Sequence, residues 1–369
     1  MWKLSVPPCL CGFLIILLTV HAPSADASVL FLPAYPDRVL VVDEATQQVV
    51  DTIQTQVGLP TGVRLSYDRK KIYITTGDNN GVAVIELTTH KVLNHFTLNT
   101  SKTQFRFNSV APDPEDKLLY TVVTEVTKQT DRYEIGKPKY AVIDLEAQKI
   151  SRTMDIPAED AGANTGFGRG VFTVSPDGKY LYQFRDSVVI MDTANFKVVD
   201  RIELAKPEFP GLSDVGMGPV LQALSEKGFY TSLFNAVDPA VRRRMFGIAK
   251  FDLNSREFQF SPIGPTPDGM MGLEVSPDRK SAYTVVLNGE QGMRKCEFWA
   301  FDLGANRRTM TSEFPCRPRF SFGMSSTGKE LYIYGAGFEI EVYDATTLKL
   351  KRVTDLKNDV TMAGMIVVP

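Results

Sequence analysis

The sequence predicts an all-β fold: a seven-bladed β-propeller closed by pairing of the C-terminal strand with the first blade. Three observations predict it. A phrase of strand, acid, turn and strand recurs seven times. A second turn phrase recurs six times between its copies. The odd strands at the two ends of the chain supply what the first blade lacks.

The first phrase reads VVDEATQQV (41–49), VIELTTHKV (84–92), VIDLEAQKI (142–150), IMDTANFKV (190–198), KFDLNSREF (250–258), AFDLGANRR (300–308) and VYDATTLKL (342–350). Its acids are Asp43, Glu86, Asp144, Asp192, Asp252, Asp302 and Asp344, spaced by 43, 58, 48, 60, 50 and 42 residues. Such a period suits four-stranded blades. A carboxylate entering a tight turn bonds nearby backbone N–H groups, and this structural role, not metal binding, is the one assigned to all seven.

The second phrase is a Ser-x-Asp-Gly-Lys-like turn leading into an apolar strand with Tyr: SYDRKKIY (66–73), APDPEDKLLY (111–120), SPDGKYLY (175–182), SEKGFY (225–230), SPDRKSAY (276–283) and SSTGKELY (325–332). Turns of this kind between alternating apolar residues are hairpin chemistry. A seventh copy is missing. The first blade opens directly on SVLFLPA (28–34), and the chain ends on TMAGMIVVP (361–369), a strand with no blade of its own. If that strand completes the first blade, the ring has no open edge. Taking the first 27 residues from 369 leaves about 49 per blade. No extended helical periodicity appears, and the uniform repeats disfavour the rival of two β-sandwich domains.

Residues 1–27 differ from the rest. Lys3 precedes an apolar run from Leu10 to Val20, and Ala25-Asp26-Ala27 matches a small-x-small cleavage pattern. The run is shorter than the ~20 residues of a spanning helix. The reading is a cleaved signal peptide (1–27), a single propeller domain (28–369) and a periplasmic location. Export would leave Cys296 and Cys316 as the only cysteines, in an oxidising compartment. They fall roughly opposite one another across a hairpin turning near Gly304–Asn306, so a disulfide is expected. A hydrophobic content of 43% is ordinary for a soluble chain, and a net charge of only −2 argues against a nucleic-acid partner.

One face of the ring is expected to bind a partner. Three loops there are long: 124–139, 234–247 and 288–295. Loops between blades on that face carry Phe105, Arg106, Phe107, Phe167, Arg169, Phe209, Arg317, Arg319 and Phe320. Phe and Arg anchor protein interfaces, although the same residues could plug the central channel. No catalytic, cofactor or metal residue is assigned. His90 and His95 share one peripheral hairpin, Cys/His metal spacing is absent, and GFGRG (166–170) lacks the spacing of a dinucleotide fingerprint. Arg242-Arg243-Arg244 reads as a solvated loop edge, with a phosphate site as the alternative.

The run IYITTGDNNGVAVIEL (72–87) resembles the YVTN-type propeller repeat. FLPAYPDRVLVVD (31–43), GFYTSLFNAVDPAVRRRMFGIAKFDLNS (228–255) and NDVTMAGMIVVP (358–369) resemble segments of the propeller (β) subunit of quinohemoprotein amine dehydrogenase, and the similarity runs from about residue 29 to the end. The resemblance implies a periplasmic assembly that deaminates primary amines oxidatively. In it one partner subunit carries a quinone made from its own Trp and Cys, and another carries two c-type haems. The propeller is a platform without a cofactor. The alternative is a stand-alone periplasmic YVTN-type propeller that binds a ligand or protein without catalysis. A propeller lactonase would need acids or histidines clustered at the channel mouth, and none stands at readable spacing.

Overall fold

The computed structural model describes residues 28–78, 80–161, 171–184, 187–204, 213–218, 226–290 and 292–369. The expected signal peptide at 1–27 lies outside them. Among the described residues the regular structure is almost wholly strand, with one four-residue helix, Ala158–Ala161. No helix among them is long and apolar enough to cross a membrane.

The sheets form in sequence order. Four consecutive strands give an antiparallel sheet of Pro60–Leu65, Lys71–Thr76, Gly81–Glu86 and Val92–Thr97, and the pattern repeats along the chain. Five sheets of four or five strands arise in this way. The sixth, of eight strands, joins the two ends of the chain. In it Ile366–Val368 lies antiparallel to Val29–Ala34, with Val29 opposite Val368 and Phe31 opposite Ile366. This is the expected pairing of the C-terminal strand with the first.

Burial explains which sequences became which strands. The two middle strands of a sheet are covered on both faces by neighbouring sheets, so they are near-continuous apolar runs. Arg38–Asp43 and Gly81–Glu86 bury almost every residue. The outermost strand has one wet face and alternates, as Lys149–Asp155 does. The core is therefore divided into clusters between successive sheets. One unites Phe31, Val39 and Val41 with Ile72, Ile74 and Ile85. Another joins Leu30, Leu40 and Val42 to Tyr332, Ile340 and Val342 from the other end of the chain. Phe184 and Tyr230 stack at 3.7 Å between the sheets they belong to.

All seven repeated acids end a strand and serve its turn. Asp252 Oδ1 accepts the N–H groups of Asn254 (2.8 Å) and Ser255 (3.1 Å), and Asp43, Asp144, Asp192, Asp302 and Asp344 do likewise in their own turns. Glu86 instead accepts the Thr89 hydroxyl. Four residues after each acid the backbone is left-handed: Gln47, His90, Gln148, Phe196, Arg256, Asn306 and Leu348 have φ between 50° and 63°. The second phrase closes by a Ser hydroxyl that donates to the Asp two residues on, at 2.6 Å for Ser66–Asp68, Ser175–Asp177 and Ser276–Asp278.

Candidate functional site

Two of the three segments expected to be long loops are largely strand, and the third is the tip of a hairpin. Residues 124–139 continue Leu118–Lys128 and turn back as Tyr133–Ile135. Residues 234–247 are the outer part of a hairpin of Phe229–Asp238 and Arg243–Asp252, paired out to Asp238 and Arg243. Residues 288–295 cap the hairpin of Ser281–Asn288 and Lys295–Asp302. The stretches read as loops because they are polar. They form strands because each partner satisfies the other's backbone groups without needing burial.

These arms carry apolar side chains in water at or near their tips. Tyr133 is 63% exposed, Ile135 73%, Val241 58% and Met293 83%. Arg132 and the run Arg242–Arg244 stand exposed beside them. Below the first arm lies a groove of about 1130 Å³ lined by residues that include Phe105, Val123, Glu134, Ile135, Lys137 and Asp155.

The residues singled out from the sequence divide. Phe105 is half-buried against a core cluster and also lines the groove. Arg106 and Arg319 are exposed. Phe107 stands on Thr103–Pro112 opposite Val123, and its side chain is not among those described. Phe167, Arg169 and Phe209 lie outside the described residues. Arg317 is turned inward. Its Nη2 donates to Gly335 O at 3.4 Å, and Nη1 lies 3.5 Å from Glu341 Oε1, an ion pair without hydrogen-bond geometry. Glu341 also accepts the Tyr343 hydroxyl at 2.7 Å; burial and this carboxylate push the phenol up.

Phe320 corrects its expectation. It is only 6% exposed and meets Phe314 edge-on at 6.0 Å, in the cluster that holds Cys296. It is core, because the neighbouring sheet covers a segment whose own neighbours in sequence are polar. Cys296 and Cys316 are joined, with their Cα atoms 5.1 Å apart. Cys296 faces Phe314 across the hairpin, so the bond ties the strand to the chain just beyond its partner.

The histidines lie on an outer hairpin. His90 Nδ1 is 2.8 Å from Asp51 Oδ2, and that hydrogen bond holds the Asp51 carboxyl below its usual range. His95 is exposed opposite Ala83. Among the described residues no three His, Cys, Asp or Glu side chains gather as a metal group would require.

Two charged residues escaped the sequence reading. Arg64 and Glu274 each stand on the innermost strand of a sheet, two positions before the serine of the second phrase (Ser66, Ser276). The same position holds Ala111, Thr173 and Gly323 in other repeats. A charge where the repeat places a small residue was the available signal. Glu274 is 2% exposed, and burial alone pushes its carboxyl up to about 8. Arg64 borders a 140 Å³ cavity where three innermost strands, Pro60–Leu65, Thr103–Pro112 and Val171–Val174, converge near the turn at 226–228.

No protein-family model matches the chain, and no curated protein matches it. Solved structures resemble it in fold. A functionally unknown protein from Desulfotomaculum acetoxidans superposes with a TM-score of 0.53 at 13% identity, over 93% of this chain and 99% of that one. Apo AztD from Citrobacter koseri gives 0.52 at 14% identity, over 93% and 98%. Dihydro-heme d1 dehydrogenase NirN, in complex with DHE, gives 0.52 at 13% identity, over 93% and 75%. With the strand order, these likenesses define the chain as an all-β propeller; at such identities they speak to fold alone.

Proposed function

We propose that the chain is the exported, non-catalytic propeller subunit of a quinohemoprotein amine dehydrogenase-like complex. In this reading it scaffolds a quinone-bearing subunit and a dihaem cytochrome subunit for the oxidative deamination of primary amines, in the periplasm. Residues 1–27 are removed on export and 28–369 form one domain. In this reading the eight-stranded sheet is taken as two blades that meet at the Ala34–Val360 bridge, for seven blades in a closed ring.

The observation that carries the reading is the set of long β-arms with Tyr133, Ile135, Val241 and Met293 exposed. Aromatic and Met side chains held in water beside arginines are the composition of a protein-binding surface. The named partners come from the resemblance of 31–43, 228–255 and 358–369. Arg106, Arg319, Phe105 and the segments with Phe107, Phe167, Arg169 and Phe209 would flank that surface. Native purification of the tagged full chain tests the proposal. Co-elution with a haem-bearing chain and amine-dependent dye reduction are expected; a colourless monomer would sink it.

A second reading is a stand-alone propeller that binds a ligand or protein without catalysis. It is favoured by two structures of this fold whose own chains are matched over 98–99% of their length, so the fold also occurs as an entire chain. It predicts a stable monomer with no redox activity associated.

A further inference from the structure

We propose that Arg64 is the anchor of a binding site for a small oxyanion, a carboxylate or phosphate group, in the cavity near the propeller axis. The site goes beyond the scaffold reading and does not depend on it.

The guanidinium is held but not neutralised. Its Nε donates to Val110 O at 3.1 Å and its Nη1 to Val63 O at 2.9 Å. Both acceptors are backbone carbonyls on adjacent innermost strands, so the planar group is fixed in the crevice between two sheets. The Nη2 amine makes no bond among the described residues, and no carboxylate among them pairs with Arg64. Protein atoms surround the cation closely enough that burial lowers its pKa, yet the residue keeps partial contact with the cavity. A cation taken out of bulk water without a counter-charge is costly unless something pairs it. An anion reaching Nη2 would supply that pair and a charge-assisted hydrogen bond.

The rest of the lining agrees in sign. Arg69 and Lys227 also border the cavity, with Tyr67 and Tyr230. The one carboxylate of the lining, Glu226, is already engaged by Lys250 at 3.3 Å and by Arg279. The cavity is roughly ten times the ~10–15 Å³ that a single water needs, which admits a small oxyanion and excludes a large ligand. Tyr230 is not poised to give up its proton: its hydroxyl donates to Gly218 O at 2.9 Å, and burial pushes its pKa upward.

Calorimetric titration of the full chain with sodium phosphate and, separately, sodium acetate, against chloride of equal ionic strength, tests the site. Saturable binding of one anion per chain is expected for at least one of the two, and which one it is distinguishes a phosphate from a carboxylate ligand. Arg64→Gln should weaken that binding at least tenfold. Arg64→Lys, which keeps the charge and loses the fork, should weaken it less. Lys149→Ala, exposed on the outermost strand Lys149–Asp155, should leave it unchanged. The proposal is overturned if the wild-type chain binds neither anion at millimolar concentration, or if Arg64→Gln binds as the wild type does. Should Arg64→Gln fail to fold, the wild-type titration and Arg64→Lys decide.

Discussion

Glu44 accepts the backbone N–H of Ser326 at 2.7 Å, across 282 positions of sequence. The same carboxylate takes the Ser326 hydroxyl and, at 3.1 Å, the hydroxyl of Tyr332, which is fully buried. A residue in the turn between Arg38–Asp43 and Val49–Gln54 thus satisfies three donors of the last repeat. Glu44 is itself only 7% exposed, so removing its oxygens leaves the buried Tyr332 hydroxyl without its acceptor.

Replacing Glu44 with Ala should therefore lower stability by about 2–4 kcal/mol, since several hydrogen bonds to one charged group are lost together. Glu44→Gln, which keeps one carbonyl oxygen, should cost less. Urea unfolding monitored by tyrosine fluorescence measures both. An unchanged midpoint for Glu44→Ala would mean that the two ends of the chain are not held by this contact.

The strand Ile366–Val368 should matter more than its three residues suggest. Ile366 and Val367 are 0% and 4% exposed and sit in two different core clusters. Deleting 366–369 removes both, exposes the edge of Val29–Ala34, and should cost roughly 3–6 kcal/mol in apolar burial alone. Size-exclusion chromatography should show self-association through the bared edge. A truncated chain as monomeric and as stable as the full one would argue that the pairing is incidental.

The left-handed residue four places after each acid gives a local prediction. Gln148 is exposed and has φ 55°. A side chain there costs about 1–2 kcal/mol, part of which Gly returns through its greater freedom when unfolded. Gln148→Gly should stabilise by about 0.5–1 kcal/mol, even though the Gln148 bond to Asn94 Oδ1 at 2.6 Å is lost. Gln148→Val should destabilise. A Gly variant less stable than wild type would show that the Asn94 contact outweighs the backbone.

The repeats were legible because their residues act locally. An acid that ends a strand and bonds N–H groups two and three residues ahead leaves the same mark wherever it occurs, so the sheets could be read from seven short phrases. The left-handed residues were hidden by identity: Phe196 and Leu348 are not turn formers, and the tertiary core that covers them offsets their strain. The candidate surface was less legible. Its arms are polar strands, which resemble loops when burial is the criterion. Phe320 seemed exposed beside Arg319 because its cover, Phe314 and Cys296, comes from elsewhere in the chain. Arg64 and Glu274 were visible only against the small residues that other repeats place at their position.

Glu274 makes the last expectation one of pH. Its carboxyl is buried, and the phenol of Tyr334 is pushed upward by burial and by Glu274. The folded carboxyl titrates near 8, against 4.5 for the free side chain. Below pH 4.5 both states are protonated and the contribution to stability is fully present. Between the two values the unfolded chain has released the proton and the folded one holds it, so stability falls as pH rises, and the loss is complete above about 8. Glu274→Gln cannot ionise and should remove this slope. The variant should match wild type near pH 4.5 and exceed it at pH 7, by on the order of 2–3 kcal/mol. Urea midpoints measured from pH 4.5 to 8.5 would reveal the difference; parallel curves for the two proteins would mean that the carboxyl finds a partner for its charge in solution.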